Sequence, residues 1–118
     1  MGATHVATAR LTLRVDLGED RAVGPGKIRL LEAVRDHGSI SAAGRALGMS
    51  YRRAWLLIDS MNRCFRRPVV ATRPGGDHGG GATVTDFGAA LIDNYRSIEA
   101  KAHAASAKEL RAIGQAHR

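Results

Sequence analysis

Cysteine is almost absent from this 118-residue chain: Cys64 stands alone, so neither an intrachain disulfide nor a thiolate-rich metal centre can be built. Aromatic residues are nearly as scarce, at 4%, which leaves Leu, Ile, Val, Ala and Met to form the core of a chain that is 44% hydrophobic. Long apolar runs are missing as well. The opening "MGATHVATARLTLRVD" is too weakly apolar for a secretory signal, and no other segment approaches a membrane span. A cytoplasmic protein without membrane contact is therefore expected. Acidic residues are locally scarce: between Arg45 and Arg73, Asp59 is the one acid against seven arginines, at 45, 52, 53, 63, 66, 67 and 73, in a chain of net charge +7. A positive field concentrated in a third of the chain suits a polyanionic partner, and solubility alone does not explain the clustering.

Catalytic sets are also wanting. The five histidines, at 5, 37, 78, 103 and 117, form no metal-binding pair on one helical face, and Cys64 has no base partner. The glycine-rich "RPGGDHGGGA", residues 73 to 82, lacks both a following Gly-Lys-Ser/Thr and a Gly-x-Gly-x-x-Gly between strand and helix. Asp59 is one helical turn from Arg63 and is expected to pair with it. No catalytic residue, metal site or cofactor is expected.

The length suits one modest core and is short for two domains, so a single domain over 1–118 is expected. Leu11, Leu13, Val15 and Leu17 alternate with Thr12, Arg14 and Asp16 as in a half-buried strand, and "LGED" turns it towards a short return strand at Arg21 to Val23. This gives a strand pair over 10–23; the first ten residues promise little order. A tri-helical core follows over 26–67. Pro25 or Gly26 stands at the entrance of its first helix, whose inward stripe is Ile28, Leu31 and Val34, and which ends at Gly38. Ser39 or Ser41 caps a short second helix, Gly48 allows a sharp turn, and Ser50 caps a third helix with Ala54, Leu57, Ile58, Met61 and Phe65 facing inward. Pro68 ends it. Val69 to Ala71 and Thr83 to Thr85 read as two strands of a hairpin over 69–85, and Thr85 or Asp86 starts a long helix over 86–112. In that helix Phe87, Leu91, Tyr95, Ile98, Ala102 and Ala105 recur at helical spacing, with Arg96, Lys101, Lys108 and Arg111 outward. Three helices followed by a two-stranded wing describe a mainly α fold with small β elements, a winged helix-turn-helix.

The exposed face of the third helix carries the chemistry. Ser50, Tyr51, Arg52 and Arg53 occupy its first turn, the part that enters a DNA major groove. An arginine can bond two acceptors of guanine, while serine, tyrosine and backbone amides fix phosphates, so Arg52 or Arg53 is expected to read base edges. Trp55 either packs under the first helix or the wing, the favoured role, or directs its indole N–H at a phosphate. Arg45, Arg63, Arg66 and Arg67 are expected to position the domain on phosphates, and Arg73 with His78 on the wing to meet the minor groove or the backbone. The bland alternatives are a solvated charged face and an ordinary loop.

The stretch "VGPGKIRLLEAVRDHGSISAAGRALGMSYRRAWLLIDSMN", followed by "GGDHGGGATVTDFGAALIDNY", resembles the amino-terminal DNA-binding domain of the ModE-type, molybdate-responsive regulators, a LysR-like winged helix-turn-helix group. The resemblance runs from about Leu11 to Ile98 and is most specific at "GSIS", "GMSYRRAW", "MN" and the "TxxG" of Thr85 to Gly88. It implies that Ser50, Tyr51, Arg52, Arg53 and Trp55 lie on the recognition helix, Arg73 to Gly81 on the wing, and Phe87, Leu91, Tyr95, Ile98 and Ala102 on a dimerisation helix. Gly44 departs from the alanine usual at that position and would loosen the second helix slightly. Effector-responsive members carry a carboxy-terminal oxyanion-binding module of small strands. No counterpart follows "AIGQAHR", so molybdate binding in the family manner is not expected, whether the chain is a short member or a fragment.

The expected function is a homodimeric, sequence-specific bacterial transcriptional regulator acting on double-stranded DNA at an inverted repeat, with a link to molybdenum metabolism by association. A separate effector-sensing partner stays open. The rivals are a non-specific architectural DNA-binding protein and a protein-interaction module whose basic patch is incidental.

Overall fold

Pro25 opens α1 (Pro25–His37) where a missing amide proton costs nothing, and Gly38, at a φ of 74°, closes it by donating its amide hydrogen to the Val34 carbonyl at 2.8 Å. This helix is the centre of the fold seen in the computed structural model, which describes residues 9–74 and 80–118. Before it lie β1 (Val15–Asp16) and β2 (Ala22–Val23), and after it α2 (Ile40–Ala46) and α3 (Tyr51–Cys64). The hairpin of β3 (Val70–Thr72) and β4 (Ala82–Val84) follows, then α4 (Asp86–Ala105) and α5 (Ala107–Ala116). The fold is the winged helix-turn-helix that the pattern predicts.

Ile28, Leu30, Leu31 and Val34 of α1 are completely buried, and around them close Ala43 of α2, Ala54, Ile58 and Met61 of α3, Val69, Val70 and Ala82 of the wing, and Ile92 and Tyr95 of α4. Each large side chain of this set contributes about 1.5–3 kcal/mol by leaving water. Both hairpins are antiparallel, with Val15 opposite Val23 and Val70 opposite Val84. The Ala82 amide bonds the Gly38 carbonyl at 2.9 Å, pinning the wing to the corner between α1 and α2.

Several boundaries differ from expectation. The alternation of half-buried Leu11, Leu13 and Val15 holds, but the ladder is confined to Val15–Asp16, and Leu17 is exposed in a turn containing Gly18 and Asp20 at positive φ. Asn62 takes the Val69 amide, and the paired strands lie one residue nearer the wing tip on each side than expected, at 70–72 and 82–84. The helix expected over 86–112 is interrupted at Ser106, whose hydroxyl donates to the Ala102 carbonyl at 2.6 Å while its backbone leaves the helical region. A serine bonding back to the fourth residue before it competes with the helical ladder and bends it. Residues 1–8, on which the expectation of little order mostly fell, lie outside the described residues.

Candidate nucleic-acid interface

The turn between α2 and α3 is built from three local devices. Ser39 caps α2 by accepting the Ala42 amide at 3.0 Å, Gly48 takes a φ of 68°, and Ser50 caps α3 by accepting the Arg53 amide at 3.1 Å. Of the two serines expected at the start of α2, Ser39 is the cap; Ser41 instead meets Arg45, whose Nη1 lies 2.8 Å from its hydroxyl. Gly44 is buried against α3: a Cβ there would sit 3.2 Å from Ala54 Cβ and 3.3 Å from the Met49 carbonyl. Its consequence is close approach of the two helices.

Capping uses only the acceptor side of the Ser50 hydroxyl, which leaves its hydrogen for a phosphate. Beyond it the first turns of α3 are bare. Tyr51 is 57% exposed, Trp55 43% and Leu56 48%, and Arg52 and Arg53 are both exposed. Their directions differ. Met61 is completely buried and follows Arg52 by nine residues, about two and a half turns, so Arg52 points away from the core along the crest of the helix. Tyr51 and Arg53 lie roughly 100° to either side of that crest.

On the Tyr51 side, α2, α3 and the wing enclose an open groove of about 670 Å³ lined by Ser41, Arg45, Tyr51, Trp55, Thr72 and Arg73, with Gly81 in its floor. Trp55, expected to pack under the first helix or the wing, is 43% exposed and lines this groove with Thr72 and Arg73 of the wing, on the same side of α3 as Tyr51. Gly81 allows the Arg73 guanidinium to lie against the wing backbone, where any Cβ would collide with it. On the Arg53 side, a second groove is lined by Arg14, Lys27, Arg29, Arg53, Met49 and Leu57. Lys27 and Arg29 were not expected at the site. Their signal was weak, two cations at the start of a helix far from the arginine cluster in sequence.

The structure therefore brings Arg45, Tyr51, Trp55 and Arg73 together and separates Arg66 and Arg67, which follow the far end of α3, roughly 20 Å from its first turn at 1.5 Å per residue. Arg63 pairs with Asp59 at 3.0 Å, the expected one-turn ion pair. His78 and the wing tip from 75 to 79 lie outside the described residues.

The far end of α3 is an anchor. Asn62 accepts the Val69 amide at 2.8 Å and the Val70 amide at 3.3 Å, and donates to the Val70 carbonyl at 3.2 Å. Thr85 accepts the Gly88 amide at 3.0 Å and donates to the Pro68 carbonyl at 2.6 Å, while Gly88 packs directly on the Val69 backbone. These contacts give the "MN" and "TxxG" motifs their physical meaning: they fix the wing and α4 to α3.

Of the residues expected on a dimerisation face, Phe87, Leu91 and Tyr95 have partners within the chain itself. Phe87 meets Phe65 edge-on with ring centroids 5.2 Å apart, Leu91 packs against the core, and the buried Tyr95 donates its hydroxyl to the Leu13 carbonyl at 2.7 Å. Burial holds the Tyr95 phenol above its ordinary pKa. Ile98, at 48% exposure, and half-buried Ala102 remain accessible on α4, and Ile113 on α5 is 61% exposed. Arg96 does not face outward as expected. It forms a two-point bond with Glu32 at 2.7 and 3.1 Å and a third contact with Glu99 at 2.8 Å, which raise its pKa further. Among the described residues no cluster of three or more His, Cys, Asp or Glu could hold a metal ion, and no helix is long and apolar enough to cross a membrane.

No family model matches the chain. It is 46% identical over 77 residues to the molybdenum-pterin-binding protein MopA of Rhodobacter capsulatus, covering 65% of this chain and 29% of that protein. It is 41% identical over 91 residues to the molybdenum transport protein ModE of Azotobacter vinelandii, covering 77% and 33%. With the DNA-binding transcriptional dual regulator ModE of Escherichia coli K12 the identity is 36% over 87 residues, covering 74% and 33%. The matched part spans about a third of the length of these relatives.

Proposed function

The chain belongs to the ModE family as a homologue of the amino-terminal, winged helix-turn-helix portion of its members, and on that premise we propose that it is a DNA-binding transcriptional regulator. The observation that carries this reading is the position of Arg52, exposed on the crest of α3 at its free end, with cation-lined grooves on both sides. A helix with its side chains is about as wide as the major groove of B-DNA, so a crest residue meets base edges and the flanks meet the two phosphate walls.

The protein acts as a homodimer, its two α3 helices entering successive major grooves of an inverted repeat, with the wings on the flanks. Exposed Ile98 and Ile113, with Ala102, support an apolar contact between copies, displaced along the terminal helices from the stripe that Phe87, Leu91 and Tyr95 use internally. The similarity to a molybdenum-pterin-binding protein and a molybdenum transport protein supports a role in molybdenum metabolism.

Selection of bound sites from a random duplex library, followed by titration of the winner and a scrambled duplex at near-physiological salt, tests this. An inverted-repeat motif preferred by about 10³-fold or more is expected. Equal binding to both duplexes would make the protein an architectural binder instead, and retention of neither would make it a protein-interaction module.

A further inference from the structure

The groove on the Arg53 side of α3 was invisible in the sequence, because its cations come from three separate stretches of chain. Arg53 lies on α3, Lys27 and Arg29 on the first turns of α1, and Arg14 just before β1. Arg14 is engaged by Asp16 at 2.8 Å, whereas among the described residues Lys27, Arg29 and Arg53 have no carboxylate partner. Lys27 is held in place by donating one hydrogen to the Ala22 carbonyl at 2.8 Å, which leaves two for a ligand. No acidic residue lines the groove, while Asp16 and Asp20 line a separate pocket of the hairpin. Gly24 and Gly26 border it, and a Cβ added at Gly26 would meet nothing within 4 Å, so a bulky anion can approach the start of α1.

We propose that this groove is a second backbone clamp for duplex DNA, in which Lys27, Arg29 and Arg53 hold phosphates of the strand opposite the one met by the wing. Arg53 is then a positioning residue, and the arginine of α3 that reads base edges is Arg52. The inference rests on the DNA-binding reading above. It follows from the width of the helix: once the crest enters the groove, a side chain roughly 100° from the crest is directed at the groove wall, which is phosphate. Arg29 also borders a neighbouring groove that contains Glu99, so the clamp depends chiefly on Lys27 and Arg53.

The test is a fluorescence-anisotropy titration of the full chain and its Lys27→Gln, Arg53→Gln and Arg52→Gln variants against the selected duplex and a scrambled one, across a salt series. Lys27→Gln and Arg53→Gln should each weaken both duplexes by a similar factor, about threefold to tenfold, and lower the slope of log affinity on log salt by about one. Arg52→Gln should instead reduce the ratio between the two duplexes by about tenfold or more. A ratio that collapses in Arg53→Gln, or unchanged affinity and salt slope in Lys27→Gln, overturns the clamp while wild-type binding keeps the DNA reading. Failure of the wild-type chain to bind either duplex overturns both.

Discussion

The two ends of α3 are made for opposite purposes. At its first turn Tyr51, Arg52, Arg53 and Trp55 are exposed, and apart from the Ser50 cap they are held by little beyond the helix itself. At its last turn Met61 is completely buried, Asn62 makes three hydrogen bonds to Val69 and Val70, and Phe65 meets Phe87. The same contrast separates Arg52 from Arg96: one cation is left to the solvent, the other is tied to two carboxylates between α1 and α4. A helix that must be inserted into a partner needs its rigidity supplied from the end that is not inserted. The anchored end therefore governs stability, and the free end governs recognition.

The sharpest way to break this division is at the anchor. Gly88→Ala places a Cβ against the Val69 carbonyl and 2.8 Å from Val84 Cγ1, backbone and branched side chain that cannot swing aside. A loss of about 3 kcal/mol, and a fall in Tm of roughly 10 °C or more, is expected by thermal denaturation. A variant melting within a few degrees of wild type would show that α4 is not seated this closely. Asn62→Ala removes both acceptor contacts and the donor contact and should cost about 2–3 kcal/mol. Asn62→Asp separates them: it keeps the acceptor for the two amides, loses the donation to Val70, and should fall between wild type and alanine in urea unfolding.

At the free end the signs reverse. Arg52→Ala should leave stability within about 0.5 kcal/mol of wild type, since the side chain is exposed, yet lower discrimination between selected and scrambled duplexes by about 1–3 kcal/mol. A comparable loss of melting temperature in Arg52→Ala and Asn62→Ala would erase the distinction between the two ends.

The local half of this arrangement is written in the sequence. Serines before apolar-periodic runs and a glycine between them locate α2, the turn and α3, because capping and positive φ are decided within a few residues. What joins remote segments is not so visible. Hydropathy put one apolar stripe on α4 through Phe87, Leu91, Tyr95, Ile98 and Ala102, but the residues it buries are Tyr95 with Ile92 and Gly88, which has no side chain to register. Arg96 read as a surface cation because its main partner, Glu32, is 64 residues away. For Trp55 the sequence left the first helix and the wing open as packing partners, and only the fold puts it on the wing-facing side of α3, away from Ala54 and Ile58. The basic groove beside Arg53 needed the β1–β2 hairpin and α1 to be folded before Lys27 and Arg53 could be seen as neighbours.

Asp59 offers the finest test of the comparison, since it is the one acid of the arginine-rich stretch and sits midway along α3. Seven residues after Arg52, about two turns, it lies near the same crest, where its carboxylate neutralises Arg63 at 3.0 Å. Asp59→Asn removes a one-turn ion pair between partly exposed groups, which should cost about 0.3–0.5 kcal/mol of stability. It also removes a negative charge from the face turned towards a polyanion and releases Arg63. Binding should tighten by about twofold on selected and scrambled duplexes alike, most clearly at low salt, because a screened charge near the backbone adds affinity without base information. Stability and affinity would then move in opposite directions from a single atom exchange. Weaker binding by Asp59→Asn, measured beside its urea curve, would mean that the middle of α3 serves the anchor and not the reading face.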